Sequence, residues 1–367
     1  MGKKIFTINP GSTSTKVGLY NDMDEVFVTN VRHDSAKLAE YSTISEQLPY
    51  RKETILRELE LHNIDLKSID AFAARGGLCY PVKSGTYAIN DLLIEDLKAG
   101  AQGHHPSNLA AQVALDFSKL YGAEAYIVNP EVVDELIDVA RITGIKGVYR
   151  KSLIHALNQK ETCIRCATKI GKAYSDANFV IAHLGGGISV SAHRKGEIID
   201  TTDAVNGDGP MAPNRSGDIP ATAIIDLCYS GNYTKKEMHE LVSKKGGLIS
   251  HLGTDSLVAV GKMVDDGDDY ASLIYHALIH QIGKYIGAYA SVLHGNVDRV
   301  ILTGGLANDK RLVEKVSEMV KYIAPIVVYP GEFELEALAA GALSILNGEN
   351  TAKTYLGKDG APAVGMV

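Results

Sequence analysis

Apolar and polar positions along this chain alternate with a period of about two in some stretches and about 3.6 in others, and the switches mark its elements. "KIFTI" (residues 4–8) is a β-prone run that enters Asn9-Pro10-Gly11, which cannot continue a ladder, and "KVGLY" (16–20) leaves as a second extended run. The tip between them carries four hydroxyls in a row, Ser12, Thr13, Ser14 and Thr15. Helical spacing follows in "RKETILRELELHN" (51–63), then a short strand, "IDAFAARGG" (69–77), breaks at two glycines. A helix over 107–122, capped by Ser107, leads into a strand over 123–130. The spacing predicts further helices over "EVVDELIDVARITG" (131–144) and from His155 to about Tyr174.

At Phe179 the opening pattern returns in kind though not in identity. A strand (179–184) meets Gly185-Gly186-Gly187, "ISVSAH" leaves as a second strand and "GEIID" adds a third. A third apolar strand in "VDRVILTGGLAND" (297–309) ends in Gly304-Gly305 before another helical segment. Any one glycine-rich strand end is by itself only a turn. Three of them, each after an apolar strand, point to a phosphate or a nucleotide, with the two hairpin tips in the two halves gripping one ligand. No G-x-x-x-x-G-K-[ST] occurs, and no G-x-G-x-x-G stands where a strand becomes a helix, which argues against a P-loop and a dinucleotide site.

At 367 residues the chain exceeds one hydrophobic core, and about 100–200 residues per domain implies two. Lys and Arg number 37 against 44 Asp and Glu, a net charge of −7, so bulk charge recruits neither nucleic acid nor an anionic membrane. Any phosphate must be met by a local cluster of donors. No apolar run is long enough to span a bilayer, "MGKKIFTINPGS" lacks the apolar core of a signal peptide, and Phe6 stands where a myristoylation signal wants Ser or Thr. A cytoplasmic location is expected. The four cysteines are few and irregular for a disulfide framework; Cys163 and Cys166 lie within a helical pattern and read as a buried face rather than a zinc or redox site.

In order along the chain, "TINPGSTSTKVGLY", "RGGLCYPV", "GHHPSNLA", "RKSLIHALNQK", "AHLGGGISVSAHRKG", "DTTDAVNGDGPMAPNRSGDIP", "LTGGLAND" and "YPGEFELEALAAGAL" resemble the segments of the butyrate kinases, in the acetokinase family of actin-like ATPases. The resemblance covers nearly the whole chain. It implies an α/β, duplicated ribonuclease-H-like fold with a cleft between two domains, at about 1–148 completed by a C-terminal helix (335–367), and 149–334. It implies the reaction ATP + butyrate ⇌ ADP + butyryl phosphate, with Mg²⁺, small-molecule partners only, and a homodimer built on the second domain or a higher homo-oligomer.

The chemistry agrees: moving a phosphoryl group onto a carboxylate requires neutralising two anions that approach each other. By resemblance Arg215 bridges the two, a role suited to a guanidinium fork. Arg75 is a second clamp, although acetokinases carry their arginine a few residues earlier and Arg75 stands at the place of a histidine. His155 aligns with the histidine that steadies the transferring phosphoryl, His183 with one at the phosphate loop, and His104, in preference to His105, with one near the carboxylate. Asn9, Ser12, Ser14 and Lys16 form the first phosphate tip, Gly185, Gly186 and Gly187 the second, and Gly304, Gly305, Leu306 and Ala307 the adenosine loop. Glu334, chosen over Glu332 and Glu336, is the Mg²⁺ carboxylate, with Asn9 on the metal side.

One departure stands out: Asn129 replaces the aspartate usual in "VDPxVVDE", which predicts weaker Mg²⁺ binding or a compensating carboxylate at Glu131 or Asp134. Isobutyrate, propionate and acetate remain alternative substrates, since one methylene changes binding by only about 1–3 kcal/mol. A non-catalytic nucleotide-binding switch is the alternative from another class; it would use the glycine loops but has no need of Arg215, His155 and His104 together.

Overall fold

The computed structural model of this protein describes residues 2–362. Among the described residues, twelve strands follow in chain order: β1 (Lys4–Pro10), β2 (Ser14–Asn21), β3 (Asp24–Arg32), β4 (Ala71–Arg75), β5 (Thr86–Ala88), β6 (Glu124–Val128), β7 (Asn178–Leu184), β8 (Ile188–Arg194), β9 (Glu197–Thr201), β10 (Arg299–Gly304), β11 (Ile326–Pro330) and β12 (Lys353–Thr354). They form two sheets in two compact units. The first unit takes the two ends of the chain, up to Asp134 and from Phe333, and the second takes Glu135–Glu332.

The first sheet runs β12-β5-β6-β4-β1-β2-β3 and the second β11-β10-β7-β8-β9. Both repeat one plan. An antiparallel meander (β1-β2-β3, β7-β8-β9) is extended on the side of its first strand by parallel strands, β4 and β6 in one case and β10 and β11 in the other. This is the duplicated α/β topology that the resemblance implies.

In the first unit β1 is buried at every position after Lys4, so it carries apolar side chains on both faces. One face packs Phe6 and Phe72 against Phe117 of the helix Asn108–Tyr121, with ring centroids 5.8–6.4 Å apart. The helix Glu334–Leu346 lies on β1, β4 and β6. In the second unit Val180, Ala182, Val190 and Ala192 pack with Ile282 and Ile286 of the helix Asp269–Val292. Phe179 and Ile181 meet Cys163 and Cys166 of the helix Ala156–Lys169. Both thiols are buried, and burial raises their pKa values: they are core side chains.

The structure departs from the local reading at four places. Residues 131–144 hold only the helical turn Asp138–Arg141. Before it the chain turns at 131–132 and then runs as a bridge: Val133 bridges Val82, and Asp134 N donates to Val82 O at 2.8 Å. Val132, Val133 and Leu136 are all buried, and Glu135 is tied to Lys160 at 2.8 Å. Ser107 does not cap its helix; it already has helical angles, and its hydroxyl lies 2.7 Å from His105 Nδ1. The helix after His155 stops at Lys169 because Gly171 takes a positive φ of 71°. The C-terminal helix ends at Leu346 and gives way to β12; positions 363–367 of the expected 335–367 lie outside the described residues. Among the described residues no helix is long and apolar enough to cross a membrane.

Candidate active site

In the first unit, candidate residues gather at the carboxyl ends of the parallel strands, where open α/β sheets bind ligands. Asn9 nears the end of β1, Arg75 ends β4 and Glu334 opens its helix. Asn9 Nδ2 donates to Glu334 Oε2 at 2.6 Å, and Arg75 Nη1 donates to the same oxygen at 3.1 Å and to Asn9 Oδ1 at 3.2 Å. Arg75 Nε donates to Glu131 Oε1 at 2.6 Å. Glu334 is therefore buried in a polar cluster rather than facing solvent from a helix start. Burial alone would raise the pKa of Glu131, but Arg75 and then His105 outweigh it and hold the carboxyl below its usual range. Two carboxylates, Glu131 and Glu334, share one guanidinium.

The β1–β2 tip is shaped from below. Arg51, fully buried on the helix Leu48–Leu61, donates from Nη1 to Gly11 O at 2.9 Å and from Nη2 to Ser12 O at 2.7 Å. His33 N donates to Thr13 O at 2.9 Å, and Gly11 N to Ser14 O at 2.7 Å. Every carbonyl of the tip is thus tied to protein donors, which leaves hydroxyls and amides as the chemistry of the exposed Ser12 and Thr13. Burial lowers the pKa of Arg51 to about 10, so it remains a cation at neutral pH. Lys16, paired across the hairpin with Asn9, is exposed.

Two predicted residues stand elsewhere in this unit. Asn129 takes a left-handed φ of 38°; its Oδ1 accepts from Gly85 N at 2.7 Å and its N–H donates to Gly85 O at 3.0 Å, so the side chain staples the segment before β5. His104 is exposed and lies over Gly100, whereas His105 is the histidine that acts on Glu131.

In the second unit the β7–β8 tip, Gly185–Gly187, is flanked by two kinds of donor. A side chain at Gly187 would collide with the Arg215 guanidinium, and one at Gly185 would put its Cβ 3.0 Å from His183 Nε2. Arg215 Nη1 donates to Ala204 O, while its buried Nε has no hydrogen-bond partner among the described residues. Burial lowers its pKa, opposed by Asp203. The loop that carries it is closed by Asp218, whose N–H and carboxylate bond Gly209 O and N, both at 2.8 Å.

His155, just ahead of its helix, stacks on His183 with ring centroids 3.8 Å apart and planes within 8°. His155 Nδ1 lies 2.9 Å from Ser189 Oγ; His183 Nδ1 lies 2.9 Å from Asn158 Nδ2, and its Nε2 3.8 Å from Glu332 Oε1. Gly304, at a positive φ of 93°, closes against Gly331 through two backbone bonds, and Gly305 is exposed with open space above it. Leu306 is half-buried and Ala307 buried.

The structure thus joins Asn9, Arg75 and Glu334 in one group, His155 with His183 in another, and Gly187 with Arg215. Glu131, named only as a compensating carboxylate, is the partner of Arg75. Ser189 meets His155, Gln159 meets Ser189, and Arg51 holds the β1–β2 tip, three side chains to which the sequence reading gave no role. One signal was available: Ser189, Ser191 and His193 put three polar residues on one face of a strand whose surroundings are apolar.

Residues 123–328 match the model of the Acetokinase family. A solved acetate kinase of Porphyromonas gingivalis has a similar fold, with a TM-score of 0.76 at 21% identity over 94% of this chain and 100% of that one. A propionate kinase of Francisella tularensis gives 0.74 at 18% identity over 92% and 98%. An acetate kinase of Entamoeba histolytica gives 0.72 at 17% over the same shares.

Proposed function

Because this chain belongs to the acetokinase family, we propose that it is a carboxylate kinase that transfers the terminal phosphoryl of ATP to a short-chain acid, butyrate before isobutyrate, propionate or acetate. The observation that carries this reading is the β7–β8 tip with an imidazole at Gly185 and a guanidinium at Gly187. A nucleotide-binding switch would use the glycines; it has no use for a buried arginine with an unbonded Nε beside them.

In this reading Arg215 meets the carboxylate and the transferring phosphoryl, screening the repulsion between two anions. His155 and His183 donate to the phosphoryl oxygens, Arg75 and His104 steady the acid, and the adenosine lies along Gly304, Gly305, Leu306 and Ala307. Ser12, Ser14, Lys16 and the amides of the β1–β2 tip take phosphate oxygens. The residues fit a hydrated Mg²⁺: two carboxylates share one guanidinium, the donors are hard oxygens, and Glu131 Oε2 is buried with no hydrogen-bond partner among the described residues. Asn9 and Glu334 would hold the metal's water shell, with Glu131 supplying the charge that Asn129 lacks. When bound, Mg²⁺ neutralises phosphate charge. The division of the chain into catalytic domains at about 148 and 334 belongs to the same proposal, as does self-association, supported by Ile225 and Tyr229 standing exposed on the helix Ala221–Tyr229.

The test is ATP-dependent trapping of acyl phosphate as hydroxamate, with acetate, propionate, butyrate and isobutyrate compared. Highest kcat/KM with butyrate is expected. A faster reaction with another acid replaces the substrate; no product with any acid removes the reading.

A further inference from the structure

Six of the seven residues of β8 are buried, yet Ser189, Ser191 and His193 share one of its faces. Buried polar groups need partners. Ser191 finds Thr201 at 2.6 Å. Ser189 and His193 both meet Gln159, on the helix above: Gln159 Nε2 lies 2.8 Å from Ser189 Oγ, and Gln159 Oε1 lies 3.1 Å from His193 Nε2. At one end His193 Nδ1 meets the Tyr174 hydroxyl at 2.7 Å; at the other Ser189 Oγ meets His155 Nδ1 at 2.9 Å. The result is an unbroken line of four hydrogen bonds.

Such a line can run in either direction, and two groups choose between them. Gln159 Nε2 also faces the main-chain oxygen of Ser189 at 3.4 Å, so turning the amide over would set oxygen against oxygen. Tyr174 has a hydroxyl hydrogen to place, and burial keeps the phenol protonated by raising its pKa far above the usual value. Tyr174 therefore donates to His193 Nδ1, His193 Nε2–H to Gln159 Oε1, Gln159 Nε2–H to Ser189 Oγ, and Ser189 Oγ–H to His155 Nδ1.

We propose that Tyr174, His193, Gln159 and Ser189 are positioning residues, a one-way donor chain that fixes His155 as the tautomer with its hydrogen on Nε2. The stacked partner is set the same way. Asn158 Nδ2 spends one hydrogen on Thr303 Oγ1 at 3.2 Å and the other on His183 Nδ1, which leaves the hydrogen of that ring on Nε2. Both rings of the stack then carry their hydrogen on Nε2. Among the charged and titratable groups that face the chain are the Lys160–Glu135 pair, with Lys160 Nζ 5.6 Å from the centroid of the Tyr174 ring, Glu197 and Cys163 beside Tyr174, and Glu332 beside His183. The use of the donors in phosphoryl transfer rests on the carboxylate-kinase reading; the tautomer does not.

Long-range proton–nitrogen correlation spectra of the histidine-labelled full-length protein test this, with the His155 signals assigned by their loss in His155→Gln. The expected result at neutral pH is hydrogen on Nε2 and a bare Nδ1. Gln159→Glu removes the donor, so the Ser189 hydroxyl turns to the new carboxylate and His155 Nδ1 gains a hydrogen. With that change kcat should fall by about 10- to 100-fold, the usual cost of a lost supporting contact, while KM for the acid moves by less than about threefold. Gln159→Met and Ser189→Ala report the same loss without a buried charge if Gln159→Glu fails to fold. A wild-type His155 with its hydrogen on Nδ1 overturns the proposal, as does a folded variant with tautomer and kcat unchanged. If the wild type makes no acyl phosphate while the tautomer is as stated, the carboxylate-kinase reading fails and the chain stands.

Discussion

Arg215 and Gly187 are one feature seen from two residues. The guanidinium occupies the space where any other residue at 187 would carry its Cβ. Arg215→Ala should lower kcat by about 10²–10³-fold, the scale of one lost transition-state donor, without unfolding the protein. Gly187→Ala should lose activity by displacing the same group, and a Gly187→Ala enzyme of near-normal kcat would show that the arginine need not sit there. His193 allows a prediction from pH. Burial, with a smaller push from Lys160, holds it at about 3 against an ordinary value of 6.5. Between these values the unfolded chain binds a proton that the folded one refuses, so stability is intact above about pH 6.5 and is lost as pH falls. At pH 5 the loss is about 1.5 pKa units, or about 2 kcal/mol. His193→Gln should therefore show a flatter thermal midpoint between pH 7 and 5 than the wild type; parallel curves would place the acid sensitivity elsewhere.

At the scale of elements, the two hairpin tips reach one end by different means. The β7–β8 tip is three glycines, so side chains of other segments close on it. The β1–β2 tip keeps its hydroxyls and depends on Arg51, whose charge is satisfied by Gln47 and two main-chain oxygens. A buried cation held only by neutral acceptors adds positive potential beneath the tip. Arg51→Met should raise KM for ATP about tenfold, the worth of one charge-assisted contact at about 1.4 kcal/mol, with Arg51→Lys recovering part of the loss. Equal losses in both variants would mean that the fork, not the charge, matters.

The whole molecule uses one sheet plan twice, and the first unit is built from the described residues up to Asp134 and from Phe333. The helix Glu334–Leu346 closes that unit, with Gly341 set where a Cβ would come 2.6 Å from Val128 Cγ1 and with Thr86 Oγ1 donating to Gly341 O at 3.0 Å. Gly341→Val should destabilise the protein by about 1–3 kcal/mol through overpacking, read as a lower denaturant midpoint. An unchanged midpoint would mean that the helix can slide on β6. The same closure carries Glu334 to Asn9 and Arg75, so a tilted helix should also weaken activity.

Much of this was written locally. The hairpins at 4–20 and 179–194 follow from period-two runs broken by Pro and Gly, because backbone sterics act between neighbours. The helix at 107–122 and the buried Cys163–Cys166 face follow from the 3.6 spacing, and the family segments stand in readable order. Other features depended on partners distant in the chain. Residues 131–137 carry helical spacing but turn at 131–132 and then leave the helix, because Val82 and Lys160 offer a ladder bond and a buried ion pair that a helix would forfeit. Glu334, rather than Glu332, meets Asn9 and Arg75, and Glu131 pairs with the same arginine; composition alone does not rank such carboxylates. Nor does a serine on a strand declare that a glutamine on a helix will orient it toward a histidine. Local sterics and periodicity set the elements, while burial, which forces each polar group to find the partner nearest in space, decided which side chains form the site.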